Sequence, residues 1–497
     1  MDNSVLNIDV FHVIMAYATR HTVSKLMQTC HSLTYEGGRY LLASGVQLRT
    51  ENDAVSFLSF LFARSSFEEF SSRIQWVRSV VLSFGTAPPR QSMIPGTVYS
   101  IFTNLSLFAF NFVHLEIYSA ETLLTLDPSV DIPYAIANLT TLGTLSIVDG
   151  GKVALNMLGR LQSPLHSAAI FVYSAAVAAD VASVTPGERN ARWLLEGCGQ
   201  QLTSLTIDGP LSFSAAGPTY SALRVLSIRR IWPPAVVDYL DAFPHLQHLK
   251  VLDLIPDALD EDDIDQHRQN NILCRSHRAA DRIRDVRGPI VDLYTLGLSC
   301  RAEFLCALQS NDGWDEYMEE CLCAILVDTR PVHLTLMITD VALLLSEEFC
   351  ALCQQEPMQH LESIHLFLDL IPYEYRLLNM FPILEAIHEG VRTMTSLRAF
   401  KLTISWFPLG EYEEDYGVDE RGEDFEVVMK SWHGHQVPPR QDFVLRDFFA
   451  SWDPNAFVNR LSEALTGLEA VHVINQGHMY NATVKRGPYD QFGGMWT

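Results

Sequence analysis

Leu139-Thr140-Thr141-Leu142-Gly143-Thr144-Leu145-Ser146-Ile147 is the stretch from which the fold is read. Leu145 and Ile147 are two residues apart, so in a strand they point to one face, because strand side chains alternate. Leu142, three residues earlier, enters that face from a turn. A single strand cannot bury such a face alone, so the pattern calls for neighbours of the same kind. The sequence supplies them at Leu202–Ile207, Leu223–Ile228, Leu246–Val251, Leu293–Leu298, Leu361–Leu366 and Leu397–Leu402, with a lengthened copy at Leu465–Val473. Weaker copies lie at Val77–Leu82, Val113–Ile117, Ala168–Val172 and Val332–Ile338.

This is the physics of a leucine-rich repeat. Ile207 to Ile228 spans 21 residues and Ile228 to Val251 spans 23, within the ~20–29 of such arrays. Other gaps are longer, and the Asn that closes a regular repeat is missing. The expectation is an α/β chain: a small helical head, 1–46, then an irregular leucine-rich-repeat solenoid, 47–497, with short parallel strands and outer helices. An ordinary α/β domain with Leu-rich parallel strands is the competing fold.

The head differs from everything after it. Ile8, Phe11, Ile14, Met15 and Ala18 recur at steps of three and four, one face of a helix. A second helix reads from Thr22 through Cys30 and a third from Ser32 to Leu41, weakened by Gly37 and Gly38. Three short helices make a marginal core, which gains by packing on the rest of the chain, on a partner, or both.

Leu6-Asn7, Asp9, Val10-Phe11-His12-Val13-Ile14, Leu26-Met27-Gln28-Thr29-Cys30 and Leu33 follow the order of an F-box, and this stretch resembles that family. It departs at Asn7, where the family usually has Pro. Head and array together resemble the F-box/leucine-rich-repeat proteins of fungi. The resemblance implies that Leu6, Val10, Phe11, Ile14, Leu26 and Leu33 dock on a Skp1-like adaptor, which holds the chain in a cullin ubiquitin ligase. The chain would then be the ligase's substrate receptor, binding a target protein, not identified by the sequence, through its repeats. The residues alone also allow a head that only caps the solenoid, making the chain a non-catalytic scaffold.

Composition narrows the partners. Asp and Glu number 59 against 35 Lys and Arg, a net charge of −24 over 497 residues. That disfavours nucleic acid and anionic membranes, which need clustered cations. No basic leader precedes an apolar run and no uncharged apolar stretch reaches 18 residues, so a cytoplasmic or nuclear location is expected. The nine Cys are odd in number and scattered, as reduced core thiols are. Cys350-Ala-Leu-Cys353 is a lone CxxC, and His267, Cys274 and His277 lack a fourth partner, so no metal is expected. Asn104, Asn138 and Asn481 open glycosylation sequons that, without a secretory leader, are chance matches. GxSxG, HExxH, P-loop and GxGxxG patterns are missing. No catalytic residue, cofactor or enzymatic activity is expected.

Two charged runs interrupt the repeats. The first, near 257–287, opens acidic from Asp257 to Asp265 and turns basic through Arg275, Arg278, Arg282, Arg284 and Arg287. The second, near 411–440, carries the acidic Glu411–Glu426. Both read as mobile surface loops, and the second misses the Gly and ligand positions of a calcium loop. Residues flanking the inward Leu positions should line the exposed strand face: His114, Glu116, Ser204, Thr206, Asp208, Val225, Ser227, Ser363, His365, Lys401 and Thr403 among them. Arg229, His248 and Lys250 fall there on consecutive strands. They are the candidate receivers of an acidic or phosphorylated target segment, unless they are merely solvated strand cations.

Overall fold

The computed structural model describes residues 8–63, 73–84, 93–185, 187–214, 216–231, 234–255, 259–274, 282–309, 314–345, 348–370, 379–406, 444–476 and 482–486. Leu6, His277, Asn481 and the acidic run 411–440 lie outside them. The chain divides into two compact units, Met1–Gln247 with Leu252–Leu259, and His248–Val251 with Asp260–Thr497.

The first unit opens with three helices, α1 (Ile8–Tyr17), α2 (Arg20–Met27) and α3 (His31–Ala43). Met15, Val23, Met27 and Leu33 form their buried centre, with Phe11, Ala18, Leu26, Tyr40 and Leu41 packed around it. α2 starts two residues before the expected Thr22 and is capped by Thr19, whose hydroxyl accepts the Thr22 amide at 3.3 Å. Gly37 and Gly38 are packing devices. A Cβ at Gly37 would sit 2.3 Å from Met27 Cγ, and one at Gly38 would sit 3.3 Å from Phe60 Cζ. Phe60 belongs to α4 (Glu51–Phe62), where Thr50 and Asp53 form a capping box. Tyr35 meets Trp76 edge-on at 5.4 Å, so the head is fastened to the first repeats.

Seven parallel strands follow in chain order: β1 (Val46–Leu48), β2 (Ser79–Leu82), β3 (His114–Ile117), β4 (Thr144–Val148), β5 (Ser167–Phe171), β6 (Ser204–Asp208) and β7 (Val225–Arg229). Register aligns Leu48, Leu82, Ile117, Ile147, Ile170, Ile207 and Ile228 in one buried row. Each strand except β6, whose link to β7 holds no helix among the described residues, feeds one or more helices, and each new strand continues the row, which is how a repeat array buries what one repeat cannot. The second unit repeats the arrangement with β8 (His248–Leu252), β9 (Arg282–Pro289), β10 (Arg301–Leu308), β11 (His333–Ile338), β12 (Ser363–Leu370), β13 (Ala399–Trp406) and β14 (Ala470–Gln476), all parallel; β15 (Ala482–Arg486) returns antiparallel. Its buried row is Leu249, Val286, Leu305, Leu334, Ile364, Phe400 and Val471. Both units are open α/β stacks of parallel-strand repeats.

Three expectations are corrected. Leu293–Leu298 is not a strand: Ile290–Leu296 is helical and Gly297 ends it in the left-handed conformation, φ 54°. The run near 257–287 is not a loop throughout, for it holds the helix Glu261–Cys274 and strand β9. That helix is anchored by polar side chains: Arg268 donates to Tyr294 O at 2.7 Å and to Asp328 at 2.6 Å, and its guanidinium lies 4.2 Å from the Tyr294 ring. The outward strand residues are not uniformly exposed, since Asp208, Ser363, His365, Lys401 and Thr403 are buried. Among the described residues no helix is long and apolar enough to cross a membrane, and no three His, Cys, Asp or Glu are grouped to hold a metal.

Candidate functional site

Helix α1 has two apolar faces. Phe11 and Met15, with Ala18 just beyond the helix end, pack inward on the head's core, and His12 Nδ1 meets the Tyr40 hydroxyl at 3.0 Å, which fixes the helix's rotation. Val10, Val13, Ile14 and Tyr17 stand at i, i+3, i+4 and i+7 on the other side, at 43%, 60%, 42% and 90% exposure. Of the residues named from sequence, Val10 and Ile14 therefore lie on the open stripe. Phe11 and Leu26 pack against the core, and Leu33 is within it. Val13 and Tyr17 complete the stripe. Their i+3 and i+7 spacing from Val10 is present in the sequence, outside the docking positions that the F-box resemblance implies.

The strand ends carry the second set. Arg229, at the end of β7, binds Asp253 at 2.6 Å and approaches Asp208 at 3.8 Å. Arg230 follows in the left-handed conformation, donating to Asp208 at 2.6 Å and to Val172 O at 3.0 Å. Burial pushes the Asp208 carboxyl up, and the Arg230 hydrogen bond opposes it. Two arginines and two carboxylates close this cluster electrically, so Arg229 is already engaged within its own unit.

His248 and Lys250 belong to the second unit. Register sets His248 beside Asp285 and Lys250 beside Arg287. His248 Nδ1 lies 3.4 Å from Asp285 Oδ2, and Arg287 Nε donates to that carboxylate at 2.8 Å. The structure thus gathers His248 and Lys250 with Arg287, a residue expected in a loop and found on β9. Cys353 of the CxxC is buried in the helix Glu348–Gln354, and burial pushes its thiol up.

No protein-family model and no curated protein matches the sequence. Among solved structures the chain is similar to a chain of the Rad7 and Elc1 complex in yeast. The identity is 13%, the match covers 73% of this chain and 94% of that one, and the TM-score is 0.25. A likeness that slight carries no argument; the repeat architecture rests on the strand order and register given above.

Proposed function

We propose that the chain is the non-catalytic substrate-receptor subunit of a Skp1-cullin-F-box type ubiquitin ligase, with α1 docking on the adaptor and the strand faces holding a target. One observation carries the reading. α1 leaves a four-residue apolar stripe open to solvent while its other face completes the head's own core. A helix that only capped the array would need one apolar face, and a second is a docking surface left unfilled.

The test uses residues on the open stripe, since Phe11→Asp would unfold the head and say nothing about docking. Val10→Asp with Ile14→Asp would put charges into an apolar contact, which is strongly unfavourable. The variant is expected to keep the wild-type circular dichroism and to lose capture of a purified Skp1-type adaptor. No capture by the wild type at about micromolar concentration removes the ligase reading and leaves a non-catalytic leucine-rich-repeat scaffold.

A further inference from the structure

In the second unit, one register row gathers cations. Followed from strand to strand it reads Lys250, Arg287, Cys306, Thr335, His365, Lys401, His472 and, by register, Lys485. Half its positions are Lys or Arg, two more are His, and none is acidic, in a chain of net charge −24. The row's far side is shut: His365, Lys401 and His472 are buried. Its near side is open. Lys250 and the Arg287 side chain are exposed, and Cys306 and Thr335 are half-buried beside them. Asp285, two positions back along β9, is among the described residues the one carboxylate bound to Arg287, and it takes the Nε hydrogen. Among the described residues Lys250 has no anionic partner and the terminal nitrogens of Arg287 have none either.

We infer that Lys250 and Arg287 form a receiving site for a short acidic or phosphorylated peptide segment. Neighbouring strands stand ~4.8 Å apart, well inside the ~10 Å Debye length at 0.1 M salt, so both cations act on one incoming anion. Arg287 offers a planar pair of donors and Lys250 a point charge, a combination that suits a carboxylate or phosphate ester. Half-buried Thr335 adds a hydroxyl on the row. Two cations suit a short acidic stretch better than a nucleic-acid backbone, whose binding draws on many phosphates. Arg229 is no part of the site, because Asp253 and Asp208 already hold it. The inference deepens the receptor reading and rests on it, yet the two fail separately, since adaptor capture depends on α1 alone.

The experiment uses the full chain and two fluorescein-labelled probes, a hexaglutamate peptide and a phosphoserine peptide, followed by fluorescence anisotropy at low and high salt. Saturable binding is expected at low salt, weakened as salt rises. Lys250→Glu with Arg287→Glu should weaken it by about tenfold or more. Arg229→Glu should leave it within about twofold, as should the charge-conserving pair Lys250→Arg with Arg287→Lys. A double reversal that binds as the wild type does, or a wild type that binds neither probe up to about 1 mM, overturns the inference. So does preferential binding of a labelled oligothymidylate, which would mark a nucleic-acid surface. Loss of adaptor capture in the Val10/Ile14 variant with peptide binding intact would leave this site standing apart from the head.

Discussion

His365 allows a sharp test of how the second unit is packed. It sits on β12 between Thr335 and Lys401 in register, and its Nε2 meets the Thr403 hydroxyl at 3.0 Å. Burial drives its pKa down to about 3, and the positive charge of Lys401 and the nearby His472 push the same way. In the unfolded chain an imidazole titrates near ~6.5. Above that pH both states are neutral and His365 adds no pH dependence. Below it the unfolded chain takes a proton that the folded chain refuses, so stability falls by ~1.4 kcal/mol per pH unit until about pH 3. From pH 6.5 to 5.0 that is ~2 kcal/mol from one side chain. His333, also pushed down by burial, adds in the same direction. Replacing His365 with Gln removes the titration and keeps a polar side chain. Urea unfolding of wild type and variant at pH 7.0 and 5.0 should show the gap between them shifting by ~2 kcal/mol in the variant's favour at low pH. Parallel stability curves, or a His365 ring that titrates near pH 6 by nuclear magnetic resonance, would refute the buried neutral imidazole and the packing it reports.

Two further outcomes follow from the first unit. Ser119 and Asp149 share the left-handed conformation, at φ 48° and 56°, but the Ser119 side chain makes no capping hydrogen bond, whereas Asp149 accepts the amides of Tyr173 and Ser174 at 2.8 Å each; thermal unfolding should show Ser119→Gly neutral to stabilising by up to ~1 kcal/mol, and Asp149→Gly destabilising by ~1–3 kcal/mol. Arg192→Met should cost ~3 kcal/mol or more in the same assay, because the buried guanidinium donates to the carbonyls of Ser214, Gly217 and Pro218 at 2.6, 2.6 and 3.0 Å.

The parts of the fold legible in the sequence are those that burial alone dictates. Leu145 with Ile147, Leu205 with Ile207 and Leu226 with Ile228 are pairs whose two-residue spacing has one physical meaning, and each lies on a strand facing the core. Strands β9 and β10 were missed because their period breaks. The inward residues are Ile283, Val286 and Gly288 on one, and Ala302, Leu305 and Ala307 on the other, with a three-residue step in each. The helix Glu261–Cys274 was missed because hydrogen bonds from Arg268 and Asn271 fix it, and no apolar stripe marks such an anchor. The stripe on α1 was half legible. Spacing gives the helix, but which of its two apolar faces turns inward depends on α3, which meets His12 through Tyr40. Half of Arg229's pairing was legible, since the 21-residue step from Ile207 to Ile228 also sets Asp208 beside Arg229; the contact with Asp253 was not, because Asp253 lies in the turn beyond Val251, outside the strand pattern.

The missing Asn of a regular repeat shows why the array is irregular in sequence yet regular in register. The turn after each strand must still bend and satisfy backbone groups. In this chain the bend recurs at one position, two residues beyond the second inward apolar residue: Ser119 after Ile117, Asp149 after Ile147, Gly209 after Ile207, Arg230 after Ile228 and Asp253 after Val251 all have positive φ. In these five turns of the first unit the position is shared while residue type is not, and the non-glycine members accept a backbone cost of order 1–2 kcal/mol. At three of them the side chain does something in return: Asp149 accepts two amides of the next repeat, Arg230 neutralises buried Asp208, and Asp253 holds Arg229. Glu121 serves nearby, accepting the amides of Gly151, Val153 and Ala154 at the start of the next helix at 2.9, 2.9 and 3.1 Å. Carboxylates and an arginine thus take over the turn chemistry that one Asn supplies in a regular repeat. A chain that solves each turn separately needs no common motif there, so its sequence shows repeats only where the core demands them.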